Sequence, residues 1–308
     1  MSVDAPHGYL HRAYAASLSA FGDPLHLGGS GAWLLERAIP GADGRDAMGC
    51  YPLFCCRDWT RLAADLDTLR GRLVSVVVVT DPFGAYDEAL LRTSFDHVVA
   101  YKEHLVADLS LPREAVVSKH HRYYARRALA SLTVTESERP VRDVDAWTAL
   151  YEVLVRRHAL RGIKAFGRDA FARQLGVPGA RLFLAWLDGV AVGAQIWYVS
   201  GDVAYNHLQA ASDVGYARGA AYALYDTAMR TLAGSVRWLH IGAGAGARED
   251  RTGGLHRFKA GWASTTRTAY LCGRVLDPAA YARACERADL AAAARTGYFP
   301  AYRAGELA

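Results

Sequence analysis

Residues 180–199, ARLFLAWLDGVAVGAQIWYV, read as two strands, Ala180 to Leu187 and Val190 to Val199, joined by Asp188-Gly189. Asp-Gly between two apolar runs supplies the positive φ of a two-residue hairpin turn, which fixes an antiparallel pair. A third strand, Val203 to Ala210 (VAYNHLQA), follows across Ser200-Gly201-Asp202. Downstream, Ala217 to Leu232 reads as a helix and Val236 to Ile241 as a strand. Upstream, a helix from Asp143 or Asp145 to about Leu160 carries Trp147, Leu150, Leu154 and Val155 as its apolar stripe, and Arg168 to Leu175 reads as a shorter helix. Two helices, a three-stranded meander, a glycine-containing turn, a helix and a strand make one mixed, largely antiparallel sheet flanked by helices.

A similar alternation runs through the first third. Ala32 to Ile39 and Ala47 to Cys56 read as neighbouring strands across Pro40-Gly41-Ala42-Asp43-Gly44, and Thr60 caps a helix to about Arg70. Leu73 to Thr80 (LVSVVVVT) is rich in β-branched residues, which suits a strand covered on both faces, and it stops at Asp81-Pro82-Phe83-Gly84. A short helix near Asp87 to Thr93 and a strand around Val98 to Leu105 complete this lobe. Leu111-Pro112-Arg113-Glu114 opens one long helix to about Leu132, ahead of a strand from Thr133 to Thr135. Near the end, Pro278 to Ala294 reads as a helix. The expected class is α+β with two lobes, 1–113 and 114–276, and a tail, 277–308, that packs back on the first. No repeat is visible at the residue level.

A chain of 308 residues, 52% hydrophobic and 22% charged, has matter for two cores and is far from the composition of a disordered chain. Its 36 Lys and Arg against 31 Asp and Glu leave a net charge of +5, a field that permits a polyanionic partner without requiring one. Met1 to Tyr14 contains no apolar h-region, and the longest aliphatic run, Leu73 to Val79, is too short for a bilayer. A cytoplasmic protein without membrane insertion is expected. Cys50, Cys55, Cys56, Cys272 and Cys285 form no CxxC pair and have no His cluster near them at ligand spacing, so they read as reduced packing residues and no metal is expected.

Chemistry concentrates in a few places. Gly254 to Trp262, GLHRFKAGW, follows the glycine-rich Gly242-Ala243-Gly244-Ala245-Gly246. That run fails the dinucleotide fingerprint, since its spacing is wrong and Ala247-Arg248-Glu249-Asp250 opens a helix poorly. It is either a loop bordering an acceptor cleft or a plain turn. Lys259 is either a solvated lysine or a cation placed for chemistry, and Phe258 a core residue or a pocket wall. Asp81, ending a buried strand, could take a proton from an attacking amine, orient that amine, or simply start a turn with Pro82. Lys119, Arg122, Tyr123 and Arg126 share one helical face, either a solvated charge run or a phosphate-binding face; Tyr123 and Tyr124 among the cations favour binding.

In order along the chain, these blocks resemble the Fem-type (FemABX-like) aminoacyltransferases of the GNAT superfamily. GLHRFKAGW resembles that family's GLxxFKxGF signature. Thr80-Asp81-Pro82-Phe83 is similar to its strand-ending Asp-Pro, the basic helix to its interdomain helix, and Tyr205 to Ser212 (YNHLQAAS) to its Y-x-H-x-x-A-S strand. The resemblance runs from about Glu114 to Leu276, and no helical insertion of the kind that makes a coiled-coil arm in some relatives is evident. It implies tandem GNAT-like domains, the second carrying the Phe-Lys block. It also implies that Lys259 faces the oxyanion formed when an amine attacks an aminoacyl ester, with Phe258 shaping the pocket and Asp81 beside the amine. Lys119, Arg122, Tyr123, Arg126, Arg161, Lys164, Tyr205, His207 and Arg257 would contact substrates. In acyl-CoA-using GNAT enzymes a [RQ]-x-x-G-x-[GA] loop at a helix N-terminus holds the pyrophosphate. Here Val214 to Ala220 keeps only Arg218, Gly219 and Ala220 of it, in damaged order, so Arg218 and Gly219 either touch a cofactor or merely start the helix.

The expected activity is amide-bond formation between an amino acid carried on aminoacyl-tRNA and a small amine-bearing acceptor, a cell-wall or natural-product precursor. The ester is already energised, so no cofactor, ATP or metal is required, and catalysis rests on proximity and electrostatics. An acyl-CoA-dependent N-acetyltransferase and a non-catalytic RNA- or partner-binding lobe pair are the alternatives. The intact Phe-Lys block favours an enzyme.

Overall fold

The computed structural model describes residues 6–244, 253–286, 298–304 and 306. Its strands are β1 (Asp23–Leu27), β2 (Ala32–Ala38), β3 (Arg45–Gly49), β4 (Ser75–Val79), β5 (His97–Asp108), β6 (Thr133–Glu136), β7 (Ala180–Leu187), β8 (Val190–Ser200), β9 (Val203–Ala211), β10 (Trp238–Gly242) and β11 (Thr265–Val275). The helices are α1 (Arg12–Ser17), α2 (Leu62–Asp67), α3 (Glu88–Ser94), α4 (Arg113–Val116), α5 (Lys119–Leu129), α6 (Val144–His158), α7 (Arg168–Leu175), α8 (Asp213–Ala217), α9 (Ala220–Leu232), α10 (Gly254–Ala260) and α11 (Pro278–Cys285). Among the described residues, 18–102 and 268–306 form a first compact unit, and 6–17, 103–244 and 253–267 a second.

In the first unit the strands lie in the order β1-β2-β3-β4-β11. β1, β2 and β3 pair antiparallel, β3 pairs parallel with β4, and β4 pairs antiparallel with β11. A parallel neighbour needs a crossover, and the chain makes it through α2. In the second unit the order is β5-β10-β9-β8-β7-β6. There β7, β8 and β9 pair antiparallel, β9 pairs parallel with β10 after the α9 crossover, and β10 pairs antiparallel with β5. Both units therefore follow one plan: a three-strand meander, a helix, a parallel fourth strand and an antiparallel fifth. The expected fold class holds, although the residues themselves show no repeat.

Local sequence accounts for the main joints. Asp188 and Gly189 both take positive φ, 50° and 77°, and close β7 onto β8 with Leu187 opposite Val190. The strand expected from Ala47 to Cys56 ends at Gly49. The chain returns at Phe54, whose ring crosses Gly49 so closely that a Cβ there would lie 2.9 Å from the Phe54 Cβ. The single long helix expected from Leu111 to Leu132 is two helices. Val117 and Ser118 are extended between α4 and α5, and the Ser118 hydroxyl accepts from the backbone N–H of His121 as the cap of α5.

Each unit has its own core. Leu34, Val76, Val78, Leu62, Leu66 and Trp59 fill the first; Trp197, Tyr225, Leu224, Leu239, Ile241 and Trp262 are central to the second. Residues 298–304 belong to the first unit, where the buried Arg303 donates to Asp46 at 2.5 Å and to the Ala38 carbonyl at 2.7 Å. The tail helix expected to reach Ala294 is described to Cys285, and 287–297 lie outside the described residues.

Candidate active site

The block GLHRFKAGW forms α10 and the turn after it, and its two central residues leave the helix in different directions. Phe258 packs under α5 and α9, with ring centroids 5.0 Å from Tyr222, 5.6 Å from Tyr225 and 5.5 Å from His121. Lys259 is half-buried and turns to the end of β10, where its Nζ donates to the Ala243 carbonyl at 2.8 Å. Gly242 makes room for it. Its φ is +85°, and a Cβ there would stand 3.2 Å from the Lys259 Nζ and 3.9 Å from the His240 ring. Of the glycine run, 245 and 246 lie outside the described residues, as do 247–250.

His121 ties this block to the basic helix. Its Nδ1 lies 2.8 Å from the Ser118 hydroxyl and its Nε2 2.8 Å from the Phe258 carbonyl, while the Ser118 N–H donates to the Gly261 carbonyl at 3.0 Å. The N-terminus of α5 is thereby fastened to the C-terminus of α10.

Sequence reasoning missed a buried histidine pair, one member of which neighbours this ammonium. His104 on β5 and His240 on β10 are both buried, with His104 Nδ1 2.7 Å from His240 Nε2 and the rings stacked at 4.9 Å. Burial first, then the neighbouring His104 and Lys259, hold His240 well below its ordinary titration range, so His240 is neutral at physiological pH. The two lie on different strands with 136 positions between them, so no local spacing marks them as a pair.

On α5, Lys119, Tyr123 and Arg126 are exposed and Arg122 is half-buried, its guanidinium donating to the Val117 carbonyl at 2.7 Å. Arg113, Glu114, Lys119, Arg122, Arg126 and Arg230 line a cleft of about 330 Å³. The buried Asp226 carboxylate pairs with Arg113 and Arg230. Five cations against Glu114 and Asp226 leave the rim attractive to anions.

The remaining expected site residues are dispersed. Asp81 lies in the first unit, buried at the end of β4, with its carboxylate accepting from the Phe83 N–H at 3.0 Å and lying 3.5 Å from the Cys55 thiol. Arg161, Arg218 and Arg257 are exposed, and the Lys164 carbonyl accepts from the Tyr151 hydroxyl at 2.6 Å. Gly219 sits at φ +73° ahead of α9. Tyr205 is buried beside the active-site histidine, 5.3 Å from the His240 ring. His207 is buried among Tyr9, Tyr14 and Tyr198, bonded to the Tyr9 hydroxyl at 3.1 Å and near Gln174 Oε1 at 3.3 Å.

Burial lowers the His207 imidazole from 6.5 to about 3. A folded-state value below the unfolded one stabilises the fold fully above the unfolded value and is lost as pH falls towards the folded one. Urea unfolding is expected to weaken by roughly 1.4 kcal/mol per pH unit from this residue between those limits, and His207→Gln is expected to remove that component of the slope. An unchanged slope in the variant would place the acid sensitivity elsewhere.

Among the described residues, no group of three or more His, Cys, Asp or Glu could hold a metal ion, and no helix is long and apolar enough to cross a membrane.

Comparison with known proteins identifies the fold. Residues 118–260 match the acetyltransferase (GNAT) domain family. The structure is similar to FemX, with a TM-score of 0.63 at 14% identity over 88% of this chain and 92% of that one. It is also similar to L-PGS from Bacillus licheniformis, with a TM-score of 0.57 at 14% identity over 88% and 93%. A conserved protein of unknown function from Bacteroides thetaiotaomicron gives a TM-score of 0.55 at 13% identity over 89% and 93%. No curated protein is matched by the sequence at a significant level.

Proposed function

We propose that this chain, whose residues 118–260 match the acetyltransferase (GNAT) domain family and whose fold is similar to that of FemX, transfers an aminoacyl group from aminoacyl-tRNA to the amine of a small acceptor. The observation that carries this reading is the Lys259 ammonium, held at the end of β10 beside the uncharged His240. An ester carbonyl placed against that ammonium develops its oxyanion where a cation already stands. Removing one such donor elsewhere costs about 3–4 kcal/mol, so the arrangement is adequate for rate acceleration on an ester that is already activated.

The acceptor nitrogen bonds to the carbonyl carbon, the carbon–oxygen bond to the ribose breaks, and the proton lost by nitrogen ends on the ribose oxygen. His240, whose lowered basicity keeps it uncharged, adds no second positive charge beside the ammonium. Phe258 walls the pocket from inside the core, and the cations of α5 hold donor phosphates. The acceptor belongs to the class of small cell-wall or natural-product amines, with Tyr205 beside His240.

An acyl-CoA donor is the second reading, favoured by the match to an acetyltransferase family and by Gly219 opening α9. The discriminating experiment incubates the protein with amine, amino acid, ATP, synthetase and total tRNA, with and without ribonuclease. A parallel reaction with acetyl-CoA monitors free thiol. Product that disappears on ribonuclease treatment is expected; thiol release independent of tRNA overturns the tRNA assignment.

A further inference from the structure

A row of aromatic rings in the second unit runs from the outer surface of α5 to the Phe-Lys block. His120 and Tyr124, one helical turn apart on α5, have ring centroids 4.5 Å apart. Tyr124 stacks on Tyr222 of α9 at 5.3 Å with 29° between the planes, and Tyr222 meets Phe258 edge-on at 5.0 Å. Tyr123 stands perpendicular to Tyr124 at 5.2 Å. The inner end of the row is core, but the outer end is open: Tyr124 is 37% exposed and Tyr123 52%.

Exposed aromatic surface forgoes the burial that normally stabilises such side chains, so a ladder of half-open rings invites an occupant. Its chemistry is set by what lies alongside. Lys119, Arg126 and Arg127 are exposed on the same helix, and rings interleaved with cations bind unpaired nucleotides: the rings take the bases and the cations the phosphates. Double-stranded RNA offers no free base faces, so the matching part of an RNA donor is its single-stranded end.

We propose that His120, Tyr124 and Tyr222 form a stacking platform for the unpaired bases at the 3′ end of the RNA donor. This rests on the tRNA reading above and deepens it. Tyr124 takes one base face on its open side, Tyr222 supports Tyr124 from below, and the cations of α5 follow the backbone.

The test measures binding of a fluorescein-labelled single-stranded hexaribonucleotide ending in CCA, and of its abasic counterpart, to the full chain. Tyr124→Ala is expected to weaken the base-containing probe about tenfold while leaving the abasic probe unchanged, and Tyr124→Phe to restore wild-type binding. Circular dichroism of each variant confirms that the exposed substitution leaves the fold intact. Equal affinity of wild type and Tyr124→Ala for the CCA probe overturns the platform, as does equal affinity of the two probes for wild type. Unlabelled CoA is the competitor arm: displacement of the probe by CoA, with the same dependence on Tyr124, assigns the base to CoA and overturns the RNA-end assignment. Failure of the donor reading looks different. Acyl transfer that survives ribonuclease, together with probe binding that still requires Tyr124, leaves the nucleotide platform standing and removes only its link to transfer.

Discussion

Lys259→Met is expected to lower turnover by about two to three orders of magnitude while leaving the protein folded. Methionine keeps the length and packing of the side chain and deletes the charge, so the variant isolates the ammonium. The structural loss is small. One hydrogen bond to the Ala243 carbonyl disappears from a half-buried site, worth about 1 kcal/mol. Lys259→Arg is an informative companion, because a planar guanidinium keeps the charge but does not fit the compact space over Gly242, where the ammonium lies 3.2 Å from a Cβ position. Partial activity in the arginine variant and near-absence in the methionine variant would separate charge from geometry. A wild-type rate for Lys259→Met, measured at saturating donor and acceptor, would end the oxyanion role.

The second large effect is on stability. Gly261→Ala is expected to destabilise the protein by about 3 kcal/mol, by the overpacking penalty together with disturbed hydrogen bonds. The added Cβ would stand 2.0 Å from a carbon of the His121 ring. That ring cannot step aside cheaply, being fixed by the Ser118 hydroxyl on one nitrogen and the Phe258 carbonyl on the other. The change should also loosen the fastening between α5 and α10 and so lower activity in molecules that remain folded. Gly234→Ala is the control: nothing lies within 4 Å of its Cβ position, so its urea midpoint should stay near wild type. Equal midpoints for the two variants would mean that His121 relocates freely.

This glycine shows what a sequence can and cannot display. The order Phe258-Lys259-Ala260-Gly261-Trp262 is visible as a motif, but the reason for its glycine is an imidazole from another helix. The hairpin at Asp188-Gly189 was legible because its cause is local: two residues that accept positive φ between two apolar runs. The break at Val117-Ser118 was less so, because α5 starts there through a serine cap and a contact with the Gly261 carbonyl far along the chain. β11 and β1 escaped the sequence reading altogether. β11 alternates weakly and includes Arg267 and Arg274, the latter bonded to Asp67 at 2.6 Å, so its polar residues hide a strand that pairs with β4. The two histidines beside Lys259 escaped for the same reason as the helix break: their relation exists only after two distant strands meet.

The bond between Tyr9 and His207 spans 198 positions, and the segment 6–17 belongs to the second unit although the whole of 18–102 intervenes. On a ribosome adding about 5–20 residues per second, Tyr9 waits on the order of 10–40 s for His207. The second unit therefore cannot finish until His207 has been made, and the segment around Tyr9 must stay available, unspent on other contacts, throughout that interval.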